Sequence, residues 1–175
     1  MSTIKETIVL IKGDLPHKTL KGILQSFLFN QGFRVLLNFR IGSFFYSSRF
    51  LLFRQIGLYY RNRLITKRNC DISYKAKIGK NLRLPHPLGI VIGDGVVVED
   101  NVKIWQQVTL GSHGKRKQDT SYPIVKSGVK IFTGAKIFGA ITIGENSIIG
   151  ANAVVNKDVP KESTAVGIPC KIILR

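Results

Sequence analysis

Aliphatic residues recur every six positions through the second half of the chain. Positions 72, 78, 84, 90, 96, 102 and 108 are Ile, Ile, Leu, Ile, Val, Val and Val, with a companion column at Ile92, Val98, Ile104 and Leu110. The period resumes at Val125, Ile131, Ile137, Ile143, Ile149 and Val155, beside a second column of Val129, Ala135, Ile141, Ser147 and Ala153. An amphipathic helix repeats every 3.6 residues and a strand every two, so neither holds this pattern. A parallel β-helix does, because each six-residue unit makes one short strand and one corner and three units close a coil. The glycines of KIGKN, VIGDG, TIGEN and IIGAN are expected to supply positive φ at the corners. Between Leu110 and Val125 the period breaks at GSHGKRKQDTSYPI, which predicts a loop over about 111–124 thrown out from one corner. Long loops in compact solenoids are more often functional than decorative.

The first half follows another rule. FLF, FRVLLNFRIGSFFY and RFLLFRQIGLYY place apolar residues three and four apart with few prolines, which predicts helices. Leu51, Phe53, Ile56, Leu58 and Tyr59 make one wide apolar stripe with arginines at its flanks. The organisation predicted is therefore mainly β: a short, basic α-helical region over residues 1–69, then a β-helix domain over 70–175.

Charge sharpens that division. The formal net charge is +17, yet between Asp14 and Asp71 there is no Asp or Glu at all, against ten Lys and Arg. Such a balance implies an anionic partner: nucleic acid, a phosphorylated co-substrate or a lipid headgroup layer. Three readings of the helical half stay open: a packing face toward the other half or another subunit, a membrane-surface face, and nucleic-acid binding. The third lacks any recognition-helix or RNA-binding signature, so no nucleic-acid partner is expected. Cys70 and Cys170 are far apart and without metal-ligand spacing, so idle thiols in a reducing compartment and no metal are expected. The start MSTIKETIVLIKGD lacks a basic region before its apolar stretch, and no apolar run reaches the eighteen or so residues of a membrane span. A cytoplasmic protein is expected, with peripheral contact at the inner face of the plasma membrane as an extension of the membrane-surface reading.

The run DISYKAKIGKNLRLPHPLGIVIGDGVVVEDNVKIWQQVTLG, with GVKIFTGAKIFGAITIGENSIIGANAVVNKDVP and the ending AVGIPCKII, resembles the hexapeptide-repeat acyltransferases, in the serine acetyltransferase-like branch. The resemblance covers about residues 70–173; the first seventy match weakly. It implies a left-handed parallel β-helix, against the usual right-handed crossover preference. It also implies homotrimers with acetyl-CoA in the groove between neighbouring prisms, and leaves open whether trimers pair. In that pattern His86 is the general base and Asp71, fifteen residues earlier, orients it. An unperturbed imidazole, pKa about 6.5, suits removal of an alcohol proton at neutral pH, and a carboxylate can fix its tautomer. For the co-substrate the matching positions are Gly111, Ser112, Thr133 and Ala151, small residues that let the pantetheine arm approach the backbone. A backbone N–H near Ser112 is a candidate oxyanion donor, and Lys136, Lys157 and Lys171 are candidates for the CoA phosphates.

At two places the sequence departs from that family. Its members hold the amino acid with an aspartate just before the histidine and an arginine–histidine pair in the loop; here stand Pro85, and Ser121 with Tyr122. The loss of both charged partners predicts weak binding of free serine. The expected acceptor pocket is Pro85, Trp105, Ser121 and Tyr122, with His113 of GSHGK as a further contact. An aromatic, hydroxyl-rich pocket suits a sugar. The expected activity is acetyl-CoA-dependent O-acetyl transfer to a sugar hydroxyl of a bacterial surface polysaccharide or its lipid-linked or nucleotide-linked precursor. The alternatives are serine O-acetylation and, in another class, a non-catalytic scaffold.

Overall fold

A computed structural model of the chain describes residues 3–114 and 122–174. Four helices come first: α1 (Ile4–Asp14), α2 (Leu20–Phe29), α3 (Gln31–Tyr46) and α4 (Leu51–Arg68). Three start on side-chain caps. Thr3 Oγ1 accepts from the Glu6 amide while the Glu6 carboxylate accepts from the Thr3 amide; Thr19 and Asn30 cap α2 and α3. Each satisfies amides that a helix start leaves unpaired. Among the described residues no helix is long and apolar enough to cross a membrane.

The strands then stack into three sheets. Sheet A holds β1 (Cys70–Ile72), β3 (Ile90–Ile92), β6 (Thr109–Gly111), β9 (Lys136–Phe138) and β12 (Val154–Val155). Sheet B holds β2 (Lys77–Ile78), β4 (Val97–Val98), β7 (Ile124–Val125) and β10 (Thr142–Ile143). Sheet C holds β5 (Lys103–Ile104), β8 (Lys130–Ile131), β11 (Ile148–Ile149), β13 (Thr164–Val166) and β14 (Lys171–Ile173). Every pairing between strands is parallel except the last, where β14 folds back on β13. The chain visits A, B and C in turn as it winds a left-handed parallel β-helix with an aliphatic core.

The periodic columns are buried as expected, but besides the loop the period slips twice: by two extra residues before β3, and by two fewer near the end, where Ile143 pairs with Val159 and Ile148 with Thr164, sixteen on. Asp71 pairs with Val91, twenty positions on, whereas Val91 pairs with Thr109 and Lys136 with Val154, both eighteen on. Ile90 therefore stacks with Cys70, and the neighbour of Ile72 is Ile92. Two extra residues sit at the corner Pro85–Gly89. The column looked unbroken because both inward positions of each strand are aliphatic or small and both are buried.

The corner glycines also work differently from expectation. Gly79, Gly144 and Gly150 lack positive φ; Asn81, Asn146 and Asn152, two residues later, carry φ of 57°, 54° and 54°. Asn tolerates the left-handed region better than other side chains. Gly79 is instead required by proximity, because a Cβ there would collide with the backbone at Glu99 and Asp100 on the next coil.

The helix α3 seats the first coil. It buries Phe33, Val35, Leu36 and Phe39 together with Asn38 and Arg40. A Cβ at Gly32 would strike the Leu84 carbonyl, so glycine lets the first turn of α3 lie directly on the strand leading into Pro85. The apolar stripe predicted on α4 does form a helix, but Leu51, Phe53, Leu58 and Tyr59 remain exposed, and Gly57 and Leu64 make the buried contact.

Candidate active site

His86 stands on the two-residue insertion at the edge between sheets C and A. The corner is held by one hydrogen bond within it and three to its neighbours. The Leu88 amide donates to the His86 carbonyl at 2.9 Å, and the Gly89 amide to Asn69 O at 2.8 Å. The Gln107 amide donates to Leu88 O at 2.8 Å, and the Cys70 thiol to Pro87 O at 3.2 Å. Gly89 has φ of 65°, which lets the chain turn into β3. The backbone is thus fixed while the imidazole is exposed and, among the described residues, without a hydrogen-bond partner.

Asp71 points outward from β1 between the inward Cys70 and Ile72. Its carboxylate accepts from Arg61 of α4 at 3.0 Å rather than from His86. A guanidinium on α4, ten residues before Asp71, is a stronger partner for a half-exposed carboxylate than an imidazole. The pair of carboxylate and imidazole expected from the sequence is not joined in this structure.

Beside Pro85 opens a pocket of about 390 Å³, walled by Asp14, Gly32, Phe33, Arg83, Pro85 and Trp105. Trp105 is fixed by stacking on Phe132, centroids 4.5 Å apart and planes 18° apart. Asp14 belongs to no motif of the sequence. Its side chain is 1% exposed; Oδ2 accepts from Arg40 Nε at 3.0 Å, while buried Oδ1 has no partner. Burial pushes the carboxyl up from its usual range, opposed by the Arg40 charge and hydrogen bond, the Leu82 backbone and the Arg83 charge. Arg40 also donates to Ile78 O at 2.7 Å and to Gly79 O, and Arg83 donates to the Asp14 and Leu15 carbonyls. These bonds lock the end of α1 onto the first coil. One signal for Asp14 was present in the sequence: an acid at the C-terminal end of a helix opposes the dipole, so its place needs another reason.

The remaining predicted residues divide between two edges. Thr133 and Ala151 lie with Pro85, His86 and Trp105 on the edge between sheets C and A. Ser112, His113, Tyr122 and Lys157 lie on the edge between sheets A and B. Tyr122 packs over Gly93 and Gly95, where a Cβ would clash with its ring, and borders a separate groove of about 620 Å³ with Lys75 and Asp94. The expected single pocket of Pro85, Trp105 and Tyr122 is therefore split within one chain, because the loop leaves the prism after sheet A and the other two follow sheet C. Ser121 lies outside the described residues, as does most of the predicted loop. His113 sets its ring edge-on against Phe138 at 5.1 Å, and Ser112 Oγ accepts from the Gly114 amide at 3.2 Å. Gly111 faces open space, with no atom within 4 Å of where a Cβ would stand. Lys136, on sheet A, donates to Gln107 O at 2.6 Å and to Thr109 at 3.2 Å; Lys157 and Lys171 are exposed.

No family model matches the chain. It is similar to the serine acetyltransferase of Buchnera aphidicola subsp. Acyrthosiphon pisum, 38% identical over 150 residues, 86% of this chain and 54% of that protein. The chain thus spans about half the length of the curated relatives it matches. The crystal structure of serine acetyltransferase from Neisseria gonorrhoeae is similar with a TM-score of 0.85 and 31% identity, covering 99% of this chain and 68% of that one. Serine acetyltransferase from Brucella abortus strain S19, solved in complex with coenzyme A, gives 0.85 and 32%, covering 98% and 69%.

Proposed function

The chain belongs to the serine acetyltransferase-like branch of the hexapeptide-repeat acyltransferases, and from that premise we propose that it transfers acetyl from acetyl-CoA to the hydroxyl of a small acceptor. The observation that carries this reading is the Asp14 carboxylate in the wall of the pocket next to His86, with a single side-chain hydrogen bond, from Arg40. A carboxylate taken out of water gains from every further donor that reaches it. An ammonium or hydroxyl group on the acceptor is such a donor. Serine therefore has a partner for its ammonium in place of the carboxylate missing at Pro85, and the names of the relatives point the same way. Serine goes ahead of a polysaccharide sugar as acceptor. The sugar reading, with a lipid-linked or nucleotide-linked precursor, keeps one support: Ser121 and Tyr122 are still not charged residues.

The acetyl thioester supplies an activated carbonyl. The acceptor oxygen forms the new C–O bond as His86 takes its proton, the C–S bond breaks, and the imidazolium returns that proton to the leaving thiolate. Asp71 orients the ring once it exchanges Arg61 for the imidazole. Gly111, Ser112, Thr133 and Ala151 line the pantetheine path, with Lys136, Lys157 and Lys171 toward the phosphates. Because these positions occupy two edges of one prism, a complete site takes one edge from each of two neighbours, as in a homotrimer in the cytoplasm. Thiol release from acetyl-CoA, compared for serine, nucleotide sugars and glycans, tests the acceptor. Release with none of them overturns the enzyme reading.

The basic half adds a peripheral membrane contact. Phe50, Leu51 and Leu52 are 71%, 76% and 73% exposed between Arg49 and Arg54, which suits insertion among anionic headgroups. Sedimentation with anionic vesicles, weakening as salt rises, is the expected result. No binding at low salt leaves these faces to pack between subunits.

A further inference from the structure

On the other side of the first turn of α3, a second pocket of about 200 Å³ adjoins the His86 corner. Arg34, Lys67, Arg68 and Asn69 face it together with Pro87 and Leu88. Its cations have no acid among them. The acid nearest in sequence, Asp71, is held by Arg61, and Arg34 and Arg63 spend donors on Leu28 O and Asn38 Oδ1. Arg68 makes no hydrogen bond or ion pair among the described residues, and its Nε is buried with no partner. Burial, then the charges of Arg34 and Arg63, pull its guanidinium down from the usual value. Lys67 and Arg68 do complement the carboxyl end of the α4 dipole, but Arg34 sits in the first turn of α3, at the positive end, where a cation is disfavoured. Helix electrostatics thus account for only part of the cluster. An oxyanion supplies what is missing: it accepts from the Arg68 guanidinium, relieves the repulsion and meets the amino end of α3.

We propose that this pocket is an oxyanion subsite for a phosphoryl group carried by a ligand that docks beside the active-site corner. It rests on the acetyltransferase reading only for the use made of the bound group. The positions assigned to CoA lie on the third to fifth coils, whereas this pocket lies on the first, so the phosphoryl group is not the co-substrate's. Nor can a carboxylate on serine fill it while the ammonium meets Asp14, because the first turn of α3, some 10 Å across with its side chains, stands between the two pockets. The phosphoryl group belongs to a longer acceptor or to an anionic lipid headgroup.

The test is equilibrium binding of inorganic phosphate to the full chain at low ionic strength, with and without saturating CoA. Saturable binding that survives CoA and weakens at least 10-fold in both Arg68→Gln and Arg34→Gln is expected, with partial recovery in Arg68→Lys and unchanged melting. Displacement by a nucleoside diphosphate identifies the acceptor source, and displacement by phosphatidylglycerol but not phosphatidylcholine vesicles the headgroup source. Absence of saturable binding, equal binding in the variants, or displacement by CoA overturns the subsite. None of these readouts needs acetyl transfer, so failure of the enzyme reading is seen separately in thiol release.

Discussion

The inward positions of the prism are aliphatic or small, whereas the buried face of α3 carries Asn38 and Arg40 beside Val35, Leu36 and Phe39. Charge follows the same division. The prism keeps its ion pairs half in water, as in Lys126–Glu99 and Lys75–Asp94, while the helical half encloses Asp14–Arg40 almost completely. The difference teaches where buried charge enters the molecule. A repeating scaffold fixes edges and corners with aliphatic contacts; the buried charge beside the Pro85 pocket is brought in by the irregular helices.

Removing one member of a pair in each region should separate them most. Arg40→Met leaves the Asp14 carboxylate buried and uncompensated, which should cost about 3–5 kcal/mol in urea denaturation. Lys126→Met, at a half-exposed pair, should cost under about 1 kcal/mol. Equal losses would erase the distinction.

Asp14→Asn sharpens it on the functional side. Loss of a charge-assisted bond of about 1.5–3 kcal/mol should raise KM for an amine-bearing acceptor roughly 10- to 100-fold, with kcat changed less. The pH dependence has a fixed sign. Burial raises the folded Asp14 carboxyl above its ordinary value, so it protonates early as pH falls and the ammonium loses its partner. KM should climb on acidification at a pH above the usual carboxylate range, and Asp14→Asn should flatten that climb. The same shift favours the fold below the unfolded carboxyl value and is lost as pH rises through the folded one.

The smallest effect belongs to the regular corners. Asn152, at φ of 54°, should lose about 1 kcal/mol on change to Ala and little on change to Gly, read by thermal melting. A stable Asn152→Ala would mean that the left-handed corner costs nothing.

Much of this was legible in the sequence because a six-residue period has few structural solutions. The coils, the aliphatic columns and the placing of His86 at a corner follow from it, while the handedness rests on the family resemblance. The slip at Pro85–Gly89 was hidden, since Cys70, Ile90 and Val108 form as good an inward column as Ile72, Ile92 and Leu110. Partner choice was hidden too. That Asp71 takes Arg61, and that Asp14 reaches Arg40, depends on how helices seat on the first coil through glycines such as Gly32, which no one-dimensional pattern records. The separation of Tyr122 from Trp105 required the order of the sheets.

The central claim is that the His86 imidazole draws the proton from an acceptor hydroxyl beside the Asp14 pocket. Thiol release from acetyl-CoA with serine, measured for the unaltered chain and for His86→Ala of equal melting temperature, tests it most directly. A fall in kcat of about 10²–10⁴-fold is the predicted result; undiminished release by His86→Ala would contradict the account.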